Sequence, residues 1–292
     1  MKRPVGQLFR EFFKLFGYEV SLNKVSRAVN LQKHYAFVHI PKCGGVSVDF
    51  ALRSQLAKVG ERKIKRGPII STSLLNYDKE IVTLDDKCDF GDFHCNELQR
   101  IFAYHLNLKW NFISGHLPVN NRILNSFSSN YEFITVLREP SERLISNYIF
   151  NKLTNSLNIM PPNCFSTDNL IEEADNILNS RRGWQMANTT SAYLTGYYSL
   201  NKEDAKNQQD LVIDNLSKFA IVGYLDDLIG FEKQCSQLTG RNIEIGKRNV
   251  TEKLDSDEQR RVKSTLQEYF NEPKTKALVE KLCEVETITY LK

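Results

Sequence analysis

The stretch YAFVHIPKCGGVSVDFAL, residues 35–52, decides how the rest of the chain is read. Ala36, Phe37, Val38 and Ile40 form an apolar run that breaks at Pro41 into Lys42-Cys43-Gly44-Gly45, after which an amphipathic pattern resumes. The order is strand, tight loop, helix. Gly44 and Gly45 permit a sharp turn and a close approach of backbone to a ligand, while Val46 and Ser47 open a helix whose unpaired N–H groups and dipole attract an anion. With Lys42 at the same spot, the loop reads as a phosphate cradle. It does not fit the Walker A pattern GxxxxGK[ST], because there the lysine follows the glycines and here Lys42 precedes them. A kinase or nucleoside triphosphatase is thereby the alternative reading.

Three more short apolar runs, 111–114 (NFIS), 132–137 (EFITVL) and 219–222 (FAIV), end in polar or glycine-containing sequence. Continuous apolar runs separated by helical stretches are those of parallel strands covered on both faces, which predicts an α/β domain over residues 31–292. Ligands bind beyond the carboxyl ends of such strands. Helices are expected at 46–58, 96–106, 140–153, 184–197, 202–217, 224–238, 256–270 and 274–284. Pro140 at a first helical position marks one start, and Asp255 with Glu258 three residues on marks another as a capping box. Residues 60–95 and 154–170 mix Gly, Pro, Ser, Asn and charge without clean periodicity. As long insertions beside a ligand site they are expected to carry acceptor contacts.

Composition narrows the partners. With 292 residues and 41% apolar content the chain can bury a full core. Lys+Arg of 39 against Asp+Glu of 35 is too mild an excess to argue for nucleic acid, yet it allows a local anion pocket. Six cysteines include no CxxC pair, so they read as reduced thiols of a cytoplasmic protein. Cys88, His94 and Cys95 cluster without a fourth ligand nearby, and no metal is expected. No run reaches the ~18–20 apolar residues of a membrane span, so the sequons at Asn188, Asn215 and Asn249 read as chance matches. Residues 1–30 form a separate N-terminal segment in which Val5, Leu8, Phe9, Phe12, Phe13 and Phe16 recur at helical spacing among Lys2, Arg3, Arg10 and Lys14. Such a helix packs as a flap on the domain or, through residues 1–17, touches a membrane surface.

The second informative stretch is EFITVLREPSERLISNYIF, residues 132–150. Arg138 stands where a buried strand ends, and Ser146 lies two turns inside the helix begun by Pro140, a guanidinium and a hydroxyl able to share one phosphate. Together with the loop at 42–47 this implies a ligand with two separated phosphate groups. At this point a resemblance is specific. HIPKCGGVS resembles the 5′-phosphosulfate loop, and LREPSERLISNY the 3′-phosphate motif, of sulfotransferases that use 3′-phosphoadenosine 5′-phosphosulfate (PAPS). The version is similar to the carbohydrate-acting branch that includes heparan sulfate 2-O-sulfotransferase. The chain departs from that pattern at Cys43 and Val46, where threonine is usual, and at Glu139, where aspartate is frequent. Weaker likeness continues through FISGHLP (112–118), MANTTSAYLTG (186–196), FAIVGYLDDL (219–228) and KRNVT (247–251).

The resemblance implies a P-loop-like three-layer α/β sandwich with a central parallel sheet. It also implies PAPS as sulfuryl donor without a metal, and a glycan or lipid-linked sugar as acceptor. Lys42, Cys43, Gly44, Gly45, Val46, Ser47, Arg138 and Ser146 would then hold the donor, with Lys42 also stabilising the leaving phosphate. His116 follows the run 111–114 through Gly115, so it should project from a strand end toward the crevice of Lys42, where an imidazole suits a general base. Its SGHLP setting is similar to the segment carrying the catalytic histidine of glycan 2-O-sulfotransferases. Asp49, Asp89 and Asp92 stand as carboxylate alternatives, and His39 reads as a packed core residue. A non-catalytic nucleotide-binding protein with the same loops also remains open.

Overall fold

All four apolar runs become strands of one parallel sheet. The computed structural model describes residues 12–17, 33–154, 167–246 and 256–291. Strand β1 (His34–Val38) turns into α1 (Gly45–Leu56). Helices α2 (Arg66–Asn76) and α3 (Leu84–Asn107) lead to β2 (Phe112–Gly115), and α4 (Asn121–Phe127) leads to β3 (Tyr131–Leu137). Five helices follow: α5 (Pro140–Leu153), α6 (Thr167–Leu178), α7 (Arg181–Ala187), α8 (Thr189–Thr195) and α9 (Lys202–Leu216). After β4 (Ile221–Tyr224) and a 3-10 turn (Leu225–Asp227) come α10 (Leu228–Thr239), α11 (Asp257–Asn271) and α12 (Pro273–Tyr290).

The strand order is β2-β1-β3-β4. Val38 stands opposite Gly115 on one side and Thr135 on the other. Successive side chains of a strand point to opposite faces, and here both faces meet helices. Ala36, Val38, Ile113 and Phe133 pack with Leu98, Phe102 and Leu106 of α3 and Leu194 of α8. Tyr35, Phe37, Phe112, Ile134 and Val136 pack with Val48 and Leu52 of α1 and Phe231 of α10. Helices thus flank a central parallel sheet, as the continuous apolar runs require. A third cluster joins α5, α6, α7, α11 and α12 through Leu144, Tyr148, Leu170, Leu266, Phe270 and Leu282.

Helix α5 begins at Pro140 as expected, and Glu139 caps it by accepting from the N–H groups of Ser141 (3.0 Å) and Glu142 (2.6 Å). The helix is pinned from below by Arg143, fully buried, whose Nη2 donates to the carbonyls of Met186 (3.0 Å) and Ala187 (2.5 Å) and lies 3.4 Å from Glu286 of α12. Glu286 in turn accepts from the Ser191 N–H at 2.8 Å. Arg143 Nε and Nη1 are buried without a partner, and a buried ion pair of this kind fixes orientation rather than adding much stability. Its effect here is to lock the helix that leaves the end of β3 against α7, α8 and α12.

Several expected boundaries move. Helix α3 starts at Leu84 rather than 96, because Thr83 and Asp86 form a reciprocal capping box, with Asp86 N–H on Thr83 Oγ1 at 3.1 Å and Thr83 N–H on Asp86 Oδ2 at 2.7 Å. Helix α2 lies wholly inside 60–95, where no element was expected. It buries only Ser73, so it carries no apolar stripe to reveal it. The helix expected at 184–197 is two, broken at Asn188. The cap of α11 is Ser256, which accepts from Gln259 N–H at 3.1 Å, and Asp255 lies outside the described residues. Asn188 and Asn215 are completely buried, and no glycan can attach to them in the folded chain; Asn249 is outside the described residues. Of the amphipathic segment at 5–16, only its end is described, with Phe12, Leu15 and Phe16 exposed. No helix among the described residues is long and apolar enough to cross a membrane.

Candidate functional site

Because β1 lies between β2 and β3 and all run parallel, the segments 39–47, 116–118 and 138–140 leave from one edge of the sheet. The chain departs from β1 toward β2 on one side and from β3 toward β4 on the other. The crevice between β1 and β3 is therefore a topological switch point, where open α/β sheets bind ligands. Both sequence motifs end there.

The first loop is tight because two residues adopt left-handed backbone, Gly44 at φ 70° and Lys42 at φ 66°. A side chain on Gly44 would meet Leu225, and one on Gly45 would run into the His39 ring, so both positions require glycine. Helix α1 then starts with no side-chain cap and no acid in its first turn. Its N-terminus keeps its partial positive charge for an outside partner. Val46 is 44% exposed, whereas Cys43 is buried with its Sγ 3.7 Å from the Pro41 carbonyl. Burial pushes the Cys43 thiol up to about 12, so this residue offers a ligand its backbone and no thiolate.

Arg138 joins the two motifs. Its Nη1 donates to the Lys42 carbonyl at 3.3 Å, across 96 residues of sequence, while Nε and Nη2 lie 3.3 and 3.2 Å from Glu142 Oε2. Glu142, Ser146 and Phe150 recur every four residues and so share one face of α5. The Lys42 ammonium sits 4.0 Å above the Phe150 ring, a cation–π contact. Ser146 is consequently bracketed between the residue holding Arg138 and the residue holding Lys42. Burial and then the neighbouring Arg138 cation lower the Lys42 ammonium to about 8. Phe150 was not singled out from sequence, although its i, i+4 spacing from Ser146 was available.

His116 leaves β2 beside this crevice. Its Nδ1 lies 2.9 Å from the His39 carbonyl oxygen. A carbonyl only accepts, so Nδ1 carries the proton and Nε2 keeps the lone pair. The His39 and His116 rings pack with centroids 4.2 Å apart, and His39 is buried against Gly45. Burial first, then His39 and the Arg66 and Lys63 cations, hold His116 well below the ordinary 6.5. Burial and Lys63 lower His39 to about 3. Both histidines line a cavity of ≈ 560 Å³ together with Arg62, Lys63, Lys65, Arg66 and Leu117. The segment 62–66 falls in the first of the two stretches expected to carry acceptor contacts.

The other candidates sit elsewhere. Asp49, on α1, is buried and held by Ser114 Oγ, by Arg53 at 3.2 Å and by Lys63 at 3.0 Å. Asp89 lies 3.8 Å from Arg181. Asp92, raised to about 6 mainly by burial, does not line the cavity. His94 pairs with Ser73 Oγ at 2.7 Å, and Cys88 and Cys95 are buried free thiols. Among the described residues no group of three or more His, Cys, Asp or Glu could hold a metal. The weaker matching segments do meet: Val119 N–H donates to the Tyr193 carbonyl at 2.9 Å, and the Tyr193 ring stands edge-on to His116 at 6.4 Å. KRNVT lies outside the described residues. The sequence matches no protein-family model and no curated protein.

Proposed function

We propose that this protein is a PAPS-dependent sulfotransferase with a P-loop-like core, acting on a hydroxyl of a glycan or lipid-linked sugar. The observation that supports it most is the meeting of Lys42 and Arg138 at the switch point, with His116 on the neighbouring strand end. Two anion-handling segments at one crevice would suit a ligand carrying both a 5′- and a 3′-phosphate. Arg138 would exchange exposed Glu142 for the 3′-phosphate, with Ser146 beside it. The α1 N-terminus and Lys42 would face the 5′ end. His116 Nε2 would take the acceptor hydroxyl proton as the new O–S bond forms; the electron pair of the breaking S–O bond would pass to the 5′-phosphate beside Lys42.

The test is ligand-induced stabilisation with PAP, the desulfated donor (adenosine 3′,5′-bisphosphate). At a concentration near a hundred times Kd, PAP without magnesium should add about 2.7 kcal/mol and raise Tm by roughly 5–10 °C. ATP·Mg should not. In Arg138→Ala the PAP affinity should fall about 10–100-fold through loss of a charge-assisted phosphate contact, and in Ser146→Ala by less. Preferential stabilisation by ATP·Mg would turn the reading to a kinase or nucleoside triphosphatase. PAP affinity unchanged in Arg138→Ala would remove that residue from the site.

A further inference from the structure

All three nitrogens of the Arg138 guanidinium have partners. Nη1 holds the Lys42 carbonyl, while the Nε/Nη2 edge, the fork that fits a phosphate or carboxylate, faces one oxygen of Glu142 at 3.3 and 3.2 Å. A surface ion pair is ordinarily worth little and needs no function. This pair differs in how it is built. Arg138 lies between the end of β3 and the start of α5, so its side chain is brought from the sheet edge onto the first turn of the helix. The Arg138 side chain is 23% exposed and that of Glu142 is 65% exposed. The guanidinium is held, and the carboxylate is free to swing into solvent.

The other cation of the crevice is held differently. The Lys42 ammonium rests 4.0 Å above the Phe150 ring, a neutral partner from the same face of α5. A phosphate reaching Lys42 meets no anion on that ring, whereas one reaching Arg138 must displace a carboxylate from the edge it needs. Once displaced, Glu142 cannot go far. Its own N–H donates to Glu139 Oε2 at 2.6 Å inside the cap of α5, so the carboxylate stays tethered beside the phosphate. A tethered competitor acts at high effective concentration, and two anions side by side repel.

We propose that Glu142 is a built-in competitor for the anion site at Arg138, one that loosens a bound 3′-phosphate and speeds its departure. The identity of that ligand rests on the sulfotransferase reading. In such a reaction the spent nucleotide, PAP, keeps both phosphates of the donor, so the contacts that capture the donor also retain the product. Release of product limits turnover in many enzymes. A carboxylate at the rim retakes Arg138 as the phosphate leaves, and it keeps the guanidinium aimed into the crevice until the next donor arrives.

The experiment measures the Kd and the dissociation rate of PAP in the wild type, Glu142→Gln, Arg138→Ala and the double variant. AMP, which has no 3′-phosphate, is the comparison ligand. Glu142→Gln should bind PAP about 3–10-fold more tightly, mainly through slower release, and should bind AMP as the wild type does. In the Arg138→Ala background the same substitution should change PAP affinity by less than about twofold, since no guanidinium is left to compete for. Weaker PAP binding in Glu142→Gln overturns the proposal, because Glu142 would then only align Arg138. Equal gains for PAP and AMP, or a gain that survives Arg138→Ala, overturn it as well by showing a general effect of the lost charge. PAP binding left unchanged by Glu142→Gln removes this inference alone, whereas no PAP binding in either protein removes the sulfotransferase reading together with it.

Discussion

His116→Ala, assayed with PAPS and a productive acceptor, should bind PAP as tightly as the wild type and lose about 10²–10⁴-fold in turnover. The reasons are geometric before they are electrostatic. The His39 carbonyl fixes the tautomer at 2.9 Å, so Nε2 is always the basic nitrogen, and the ring lines the cavity one strand away from the Lys42 loop. The sign of the pH effect follows from the environment. Burial, His39 and the nearby cations hold the imidazole below the ordinary 6.5, so at neutral pH it is unprotonated and ready to accept. As pH falls through the depressed value the base is lost, which places the acidic limb of kcat/KM below pH 6.5. The alanine variant should not show this limb. If it keeps near-normal turnover and the same acidic limb, the base is a carboxylate, and Asp49, tied to the cavity wall through Lys63, becomes the first to replace.

The sheet was legible because each strand falls in a short, mostly apolar run bounded by turn residues and too short for a helix. The strands lie within two residues of where the runs place them. Helices that pack by one stripe, such as α5 and α9, were legible by that stripe. Helix α2 was not, since it buries a single serine, and the first half of α3 was hidden by Asp85, Asp86, Lys87, Asp89 and Asp92. At the site, the loop and the Arg138 segment could be read as local patterns. What sequence could not supply was their distance from each other, which depends on β1 and β3 being neighbours. The basic wall at 62–66 was visible as letters but not as a cavity, because nothing local says that this segment comes to lie beside His116. Phe150 was passed over as one more apolar residue of an amphipathic helix.

Lys42→Ala should cut turnover by about 10²–10³-fold while changing PAP affinity much less, because a cation beside the departing phosphate matters most as negative charge builds there. Two features of this residue bear on its role. It is held in left-handed backbone at φ 66°, a conformation that costs a non-glycine residue about 1 kcal/mol or more. It is also partly desolvated, with its ammonium resting on Phe150 and lowered to about 8. A fold selected for stability alone would place glycine there. Lys42→Gly should accordingly be more stable than Lys42→Ala by about 1 kcal/mol in denaturant unfolding, and equally inactive. The pH profile separates charge from shape. Because the raised-pH form of the free enzyme loses the cation, kcat/KM of the wild type should fall along a basic limb near pH 8, on the high side of a plateau bounded below by His116. Lys42→Arg keeps a charge that does not titrate in this range, so its basic limb should vanish even if its turnover is reduced by the wider guanidinium. A basic limb unchanged in Lys42→Arg would assign that ionisation to another group, and full turnover in Lys42→Ala would leave the α1 N-terminus as the sole source of positive charge at the leaving phosphate.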